Sequence, residues 1–326
     1  MCRNCSNCID YNAPMMACMN INNEGMRVFK PEDSTCNYYN SNKNKNSKMK
    51  VTKIIACADI HFKNLQGIED LKDVLKGFIE QCKEIIDNEE SSDNVRIVVA
   101  GDVFDSKISN SNEAIVAVDW FFKELDKLCK TIVIAGNHDM AMNNMQRIDS
   151  LSTLFQIGDY NNVIYLDKEL EYNSGCYHDG NVTWALFSSF SRFATPDIKS
   201  HMIKYPNDIC VGLIHGDING ATTATNHITE NSIDANVFED CEFVIAGHIH
   251  KRQEIKKNGV KIVYCSSITQ KNFGETVSGH GFVLWDIEDD VFYNYVDVKN
   301  EKGGYFKFKI NHIDDIDNNK EEIINL

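Results

Sequence analysis

Residues 95–105 read VRIVVAGDVFD, in which a mainly apolar run passes directly into a polar motif. A strand that is apolar at nearly every position, as residues 95–100 are apart from Arg96, is typical of a sheet covered on both faces. Apolar residues recur at helical spacing on either side, at 68–87 and 112–130, and further apolar strands are predicted at 51–58 and 131–135. This β-α-β-α-β order indicates parallel strands joined by right-handed crossovers.

The second half of the chain contains more strands and fewer helices. Asn258-Gly259 separates two strand-like runs and is a strong hairpin signal. Strands are predicted at 162–166, 182–187, 209–214, 243–246, 252–255, 260–265, 281–287 and 292–298. We therefore predict an α/β fold, in which a two-sheet β-sandwich flanked by helices fits the pattern better than a single doubly wound sheet.

The composition of the chain changes near residue 50. Residues 1–50 are rich in Asn, Cys and Met, and they end in NSNKNKNSK at 40–48, which indicates a flexible polar linker. We predict a small Cys-rich N-terminal appendage with this linker at 1–50, one large domain at 51–300 and a short acidic tail at 301–326.

The appendage contains five cysteines. Cys5 and Cys8 have the C-x-x-C spacing with which two thiolates bind one zinc ion, and Cys18 and Cys36 could complete a tetrahedral site. The second pair lacks that spacing, so a disordered tail with incidental thiols is the alternative, and both stay open. The cysteines of the large domain lie in apolar segments, where we expect reduced thiols that act as small hydrophobic residues.

Charge and hydropathy exclude some classes of protein. A formal net charge of -15 argues against nonspecific coating of nucleic acid, which depends on Lys and Arg. It does not exclude an enzyme that acts on nucleic acid, because bound divalent ions supply local positive charge. No apolar run approaches the ~20 residues that span a bilayer, and no secretory signal follows Met1. We expect a cytoplasmic protein without a membrane partner.

Five short polar motifs each follow a predicted strand. They are Asp59-Ile60-His61, Gly101-Asp102-Val103-Phe104-Asp105, Gly136-Asn137-His138-Asp139, His215-Gly216 and Gly247-His248-Ile249-His250. Side chains at the carboxyl ends of strands in open α/β sheets converge in space although they are distant in sequence. One motif alone would be weak, since Asp-x-His also occurs in ordinary loops. Five in this order predict a functional site.

The ordered set resembles the calcineurin-like metallophosphoesterase family over residues 53–298. The resemblance implies two divalent metal ions. The residues implied to hold the first are Asp59, His61, Asp102 and His250. The residues implied to hold the second are Asp102, Asn137, His215 and His248, so that Asp102 bridges the two. Imidazole, carboxylate and amide ligands suit Mn²⁺ or Fe²⁺ better than an all-thiolate zinc site would.

Three further polar residues of the motifs need separate interpretation. The family resemblance implies that His138 orients the phosphate or protonates the leaving group, and it directly follows Asn137. Asp105 either orients a metal ligand through a hydrogen bond or caps the following helix, and both interpretations stay open. For Asp139, we expect a hydrogen bond behind the ligands rather than metal binding.

Two blocks narrow the resemblance to SbcD-type DNA exonucleases and their phage recombination-endonuclease relatives. The first is GDVFDS at 101–106 with the helix start SNEA at 111–114, and the second is YCSSITQKNFGE at 264–275. This implies a manganese-dependent exonuclease and single-strand endonuclease on DNA, in repair, recombination or replication. The implied partner is an SbcC-like coiled-coil ATPase, and a second copy of the chain is a further candidate partner. A phage-encoded origin would agree with the resemblance to the phage enzymes.

Two other classes of function stay open. A phosphoesterase for a small nucleotide or a phosphoprotein would use the same metal ligands, whereas a noncatalytic scaffold would not need the complete set. SbcD-type relatives continue into a DNA-capping domain and a helical segment that docks the ATPase, but here only residues 301–326 follow the predicted domain. We therefore expect either that another polypeptide carries out DNA capping and ATPase docking, or that the protein works without them.

Overall fold

The computed structural model describes most of the chain after residue 49. The described ranges are 50–65, 67–144, 146–230, 232–300 and 304–305, together with three short strands near the N-terminus. The chain divides into two compact units, Met1–Lys50 and Val51–Leu326.

The three short strands of the first unit form an antiparallel sheet in the order β1-β2-β3. They are β1 (Cys8–Ile9), β2 (Met16–Cys18) and β3 (Arg27–Phe29). The backbone register places Cys8 opposite Cys18. Cys5 and Cys36 lie outside the described residues, so the zinc site remains a prediction.

The second unit contains the remaining strands and all the helices described. Its strands are β4 (Lys53–Cys57), β5 (Val95–Ala100), β6 (Thr131–Ile134), β7 (Val163–Tyr165), β8 (Gly175–Asp179), β9 (Val182–Phe187), β10 (Ile209–His215), β11 (Phe243–Gly247), β12 (Gln253–Lys257), β13 (Val260–Tyr264), β14 (Gly281–Asp286) and β15 (Phe292–Asp297). Its helices are α1 (Ile68–Asp87), α2 (Asn112–Asp126), α3 (Ser150–Ile157), α4 (Leu166–Glu169) and α5 (Ile198–Lys204). Among the described helices, none has the length and apolar character needed to cross a membrane.

The strands form two mixed sheets of six. The first sheet has the order β15-β14-β4-β5-β6-β7, and the second has the order β12-β13-β11-β10-β9-β8. In the first sheet β4, β5, β6 and β7 are parallel, and the antiparallel strands β14 and β15 lie together at one edge. In the second sheet the four central strands are parallel, and one antiparallel strand lies at each edge. The predicted two-sheet sandwich flanked by helices is confirmed.

The alternating side chains of β5 show how the layers pack. Every residue of this strand is buried. Ile97 and Val99 face the core formed with α1 and α2, whereas Val98 and Ala100 face the core between the two sheets. Burial on both faces explains why the strand is apolar at every position except Arg96, whose side chain is bonded to Asp179.

The hairpin prediction at Asn258-Gly259 is also confirmed, since these residues connect β12 and β13. Both have positive φ angles, 51° and 87°. This is the backbone that a two-residue hairpin turn of type I′ requires, and Asn-Gly adopts it readily.

Helix α2 differs from its prediction at the end. It stops at Asp126 rather than at residue 130, because the chain needs a short turn before β6 begins at Thr131. Its first turn is capped by Ser111, whose Oγ accepts a hydrogen bond from the backbone N–H of Ala114 at 3.2 Å. The helix-cap interpretation of Asp105 is therefore wrong.

A buried ion pair joins the two sheets at the end opposite the predicted site. Arg96 of β5 donates two hydrogen bonds to the Asp179 carboxylate, at 2.6 and 3.0 Å, and Lys130 donates a third at 2.8 Å. Burial raises the pKa of Asp179, but the bonds from Arg96 and Lys130 outweigh it and hold the pKa below its ordinary value.

We expect Asp179→Ala to lower the free energy of unfolding by about 3–5 kcal/mol, because it leaves the Arg96 guanidinium buried and unpaired. Since the native pKa of Asp179 is depressed, this stabilisation is present above the ordinary pKa of about 3.9 and is lost as the pH falls below it. Urea unfolding at pH 7 and pH 3 measures both effects.

The matched control is Asp240→Ala, which removes an exposed ion pair with Lys199 at 3.4 Å. This substitution should lower the free energy of unfolding by less than about 1 kcal/mol. An equal decrease in the free energy of unfolding for Asp179→Ala and Asp240→Ala would contradict a stabilising role for the buried pair.

Candidate metal centre

The five polar motifs begin where parallel strands end. The strands concerned are β4, β5 and β6 of the first sheet and β10 and β11 of the second. Asp59 lies just beyond β4, His215 is the last residue of β10, and His248 directly follows β11. The carboxyl ends of these strands meet at one edge of the sandwich, which brings the motifs together.

The backbone in these motifs is locally strained. Asp59, His61 and Asp102 have φ angles of 53°, 51° and 51°, and His248 has 95°. Residues other than glycine adopt positive φ rarely, at a cost on the order of 1–3 kcal/mol each, and such residues cluster at functional sites. Here the turns direct side chains from separate strands into one cluster.

Two glycines of the motifs allow this close approach. A Cβ atom at Gly136 would collide with Oδ1 of Asp102. A Cβ atom at Gly247 would collide with the carbonyl oxygen of Ala100 and would lie 2.7 Å from Nδ1 of His215. Glycine is therefore required sterically at both positions, whatever ligand the cluster binds.

The first predicted ligand set comes together around Asp59. Its Oδ1 lies 3.6 Å from Nε2 of His250 and 3.8 Å from Nε2 of His61. The two imidazole nitrogens are 3.2 Å apart. One donor atom from each of the three side chains lies within 4.8 Å of the others, which is the spacing of a group that could hold one ion.

Asp102 lies between this group and the second. Its Oδ2 is 3.6 Å from Nε2 of His61 and 3.2 Å from Nε2 of His215. Asp102, His215 and His248 form another group whose donor atoms lie within 4.8 Å of one another. The carboxylate thus occupies the position expected of a bridging ligand.

The donor atoms fit divalent metal ions. Oδ1 of Asn137 is buried and has no hydrogen-bond partner among the described residues. A buried polar atom normally has a partner, so this amide oxygen needs an explanation. Carboxylate, imidazole and amide donors are those of Mn²⁺, Fe²⁺ and Zn²⁺ sites, and a bound ion would satisfy the amide oxygen.

The carboxylates of the cluster favour the protonated form of two of its histidines. Burial lowers the pKa of His215, but the carboxylates of Asp102 and Asp59 outweigh it and raise the pKa to about 9. Burial also lowers the pKa of His250, yet Asp59 and Glu275 raise it to about 10. Metal binding would displace these protons, because a coordinating imidazole must be neutral.

His138 lies beside the shared carboxylate. Its backbone N–H donates to Oδ1 of Asp102 at 2.7 Å, and its ring lies 4.9 Å from that of His61. Its Nδ1 is 2.6 Å from the carbonyl oxygen of Asp105 and must donate, since a carbonyl only accepts. This leaves Nε2 as the atom that can exchange a proton with a substrate.

Asp139 and Asp105 support the motif loops. The buried Asp139 carboxylate accepts backbone hydrogen bonds from Gly136 and Phe104, both at 2.9 Å, so it connects two motifs. Burial and the charge of Asp102 raise the pKa of Asp139 to about 7. The Asp105 carboxylate lies 3.7 Å from Nδ1 of His61, where it can influence that ring without binding a metal.

Three residues near the cluster were not predicted from the sequence. Glu275 accepts a hydrogen bond from Nδ1 of His250 at 2.8 Å, and Lys271 donates to the carbonyl oxygen of Ile60 at 2.5 Å. Oδ2 of Asp217 lies 3.4 Å from Nε2 of His248. Glu275 and Lys271 belong to the YCSSITQKNFGE block, which the sequence singled out without showing what its charged residues do.

We expect Glu275→Ala to weaken Mn²⁺ binding about 10- to 100-fold, because a carboxylate bonded to a metal-binding histidine fixes its orientation and basicity. Calorimetric titration with Mn²⁺ measures the change. Glu275→Gln, which can still accept the bond, should recover part of the loss. The control is Glu239→Ala on the surface; if Glu275→Ala bound Mn²⁺ as tightly as this control, the assigned role would be wrong.

Comparison with known proteins identifies the family of the chain. Residues 52–252 match the calcineurin-like phosphoesterase family. The chain therefore belongs to this family, whose members are metallophosphoesterases that use divalent metal ions.

Individual relatives come from several sources. Uncharacterized protein R555 of Acanthamoeba polyphaga mimivirus is 30% identical over 264 residues, which are 79% of this chain but only 19% of that protein. The SbcD component of the SbcCD nuclease of Staphylococcus epidermidis is 24% identical over 314 residues, with 81% of this chain and 80% of that protein covered. A dimetal phosphatase from Danio rerio aligns in structure with 12% identity and a TM-score of 0.47, covering 74% of this chain and 94% of its own.

Proposed function

We propose that the protein is a phosphodiesterase with two divalent metal ions, of which Mn²⁺ is the expected one, and that its substrate is DNA. The observation that carries the phosphodiesterase proposal is the position of Asp102, which lies within reach of both histidine groups while His138 lies beside it. Two ions held there would activate a water molecule and neutralise charge on the phosphoryl oxygens.

The protein's own groups then have distinct tasks. Asp102 and the histidines hold the cluster together, and Glu275 fixes the ring of His250. His138, with Nδ1 bonded to the Asp105 carbonyl, presents Nε2 to the leaving oxygen and gives it a proton. Since its ring meets His61 edge to face at 4.9 Å, the proton donor lies beside the predicted metal ligands.

The DNA proposal rests on the relationship to the SbcD nuclease component, which extends over most of both chains. The YCSSITQKNFGE block supports it, because Lys271 and Glu275 of this block contact the metal motifs. On the same proposal an SbcC-like ATPase is the protein partner, and the biological setting is DNA repair or recombination.

A phosphoesterase for a small nucleotide is the second candidate. The observation that favours it is a cleft of about 350 Å³ beside His61, a volume within the usual range for small-molecule sites. The two candidates share the metal ligands and differ only in what the surrounding surface binds.

The experiment that separates them uses purified full-length protein with Mn²⁺. End-labelled single-stranded and double-stranded DNA are compared with a cyclic nucleotide and bis(p-nitrophenyl) phosphate. The proposal predicts cleavage of DNA, abolished by a chelator and restored by Mn²⁺. Hydrolysis of the small substrates with both DNAs intact would favour the second candidate, and no hydrolysis of any would contradict both.

A further inference from the structure

An exposed pair of aromatic side chains lies near the metal centre. Phe273 is 53% exposed and Tyr305 is 36% exposed. Their ring centroids are 4.9 Å apart and their planes meet at 62°. Among the described residues only one other large aromatic side chain, Phe292, is exposed to this extent, so most aromatic rings have a place in the interior and these do not.

The pair is held by a specific set of hydrogen bonds. Oε1 of the buried Gln270 accepts from the backbone N–H of Tyr305 at 2.7 Å, and its Nε2 donates to the carbonyl oxygen of Tyr305 at 3.0 Å. The same Nε2 donates to the carbonyl oxygen of Glu275, also at 3.0 Å. One amide therefore fixes the backbone of Tyr305 against the segment that contains Phe273.

Tyr305 connects the aromatic pair to the metal centre, since it lines the same cleft as His61 and its ring contacts that of Phe273. The cleft of about 350 Å³ has His61 among its lining residues, and Lys63, Lys271 and Tyr305 line it as well. Lys271 is bonded through Nζ to the carbonyl oxygen of Ile60, between the two metal ligands of the first motif. A ligand in this cleft would thus meet a predicted metal ligand, two lysines, one aspartate (Asp70) and an aromatic ring.

We infer that Phe273 and Tyr305 form a stacking platform for a nucleobase next to the phosphate that is cleaved. The inference rests on the proposed function and specifies how its substrate is bound. A base gains about 1–3 kcal/mol by stacking on an aromatic side chain, with little dependence on sequence. Lys63 lines the same cleft, and its side chain is long enough to contact the backbone phosphate of that nucleotide.

The platform also specifies the form of the DNA. A base inside a duplex has both faces covered by its neighbours, so only an unpaired base can stack on Phe273. The expected substrate therefore has unpaired bases at the cleavage position, as in a single strand or a frayed end. We expect single-stranded DNA to be cleaved faster than a blunt duplex of the same sequence.

The test compares Phe273→Ala and Phe273→Leu with Phe292→Ala in the full-length protein. Phe292 is a matched control, since it is 51% exposed and lies on β15 opposite Asp286, at the far end of the first sheet. For a single-stranded oligonucleotide, both Phe273 variants should raise KM about 5- to 100-fold. Phe292→Ala should leave KM within about twofold of the parent, because it loses no stacking contact with the base.

An oligonucleotide with one base replaced by an abasic spacer at the cleavage position tests the contact itself. The KM of the parent protein should rise on this substrate by about the same factor by which Phe273→Ala raises KM on the intact oligonucleotide. The KM of Phe273→Ala should not rise further on the abasic substrate, because the base and the ring belong to one interaction. Equal KM values for Phe273→Ala and Phe292→Ala on the intact oligonucleotide would overturn the platform.

Small esters separate failure of this inference from failure of the proposed function. If the parent hydrolyses methyl p-nitrophenyl phosphate but not DNA, the DNA substrate is wrong. The platform is then tested with the 5′- and 3′-p-nitrophenyl phosphates of thymidine. The quantity compared is the kcat/KM for either thymidine ester divided by the kcat/KM for the methyl ester. If this ratio falls in Phe273→Ala but not in Phe292→Ala, a nucleobase site is supported. If Phe273→Ala leaves the ratio unchanged, the platform is overturned.

Discussion

Asp102→Asn is expected to reduce turnover about 1000-fold or more at saturating Mn²⁺, because two-metal chemistry contributes several kcal/mol and each 1.36 kcal/mol is tenfold in rate. The substitution preserves the shape of the side chain. It removes the charge of the carboxylate whose Oδ2 lies 3.2 Å from His215 and 3.6 Å from His61. Asparagine also offers one acceptor oxygen where aspartate offers two, so it cannot bridge two ions and accept from the His138 N–H together.

The measurement is kcat/KM for bis(p-nitrophenyl) phosphate together with the Mn²⁺ content of the purified variant. We expect fewer than two ions per chain at Mn²⁺ concentrations that fill the parent. Asp289→Asn, an exposed position in the hairpin between β14 and β15, is the control for a change of one charge. Normal turnover of Asp102→Asn with two bound ions would contradict the bridging role.

His138→Gln is expected to lower kcat on DNA about 100- to 10,000-fold while both metal ions stay bound, since this is the usual contribution of a positioned general acid. Glutamine can still donate a hydrogen bond but cannot transfer a proton. The substitution should leave the hydrogen bonding of Asp102 almost unchanged, because the bond that Asp102 accepts comes from the backbone N–H of residue 138 and not from the ring.

The leaving group distinguishes proton donation from simple orientation of the phosphate. p-Nitrophenolate leaves readily without a proton, so His138→Gln should lose much less activity on bis(p-nitrophenyl) phosphate than on DNA. His178→Gln, whose ring is bonded to Asp208 at 2.7 Å on the edge strand β8, is the control and should behave as the parent. Equal losses on both substrates would assign His138 to orientation alone.

The central fold could be predicted because its signals are local. The predicted bounds of α1, β5 and β9 agree with those observed, since each combines a clear period with a clear end. The β-α-β-α-β order then constrains the topology of the first sheet. The motifs could be placed at one edge because each directly follows a strand.

Other features could not be predicted because they have no local pattern. Helices α3 and α5 have eight and seven residues, too few for a helical period to stand out, and the edge strand β8 is mostly half-buried and partly polar. The partners of two buried groups are distant in sequence: Asp179 lies 83 residues from Arg96, and Glu275 lies 25 residues from His250. The members of such pairs come into contact only when the sheets and loops of the domain pack together.

Anomalous scattering from a crystal grown with Mn²⁺ would locate the metal ions in the proposed two-metal centre directly. We predict two peaks on either side of the Asp102 carboxylate. The first should be bound by Asp59, His61 and His250, and the second by Asn137, His215 and His248. A single peak, or two peaks that do not share Asp102, would contradict the two-metal centre on which the proposed phosphodiesterase activity depends.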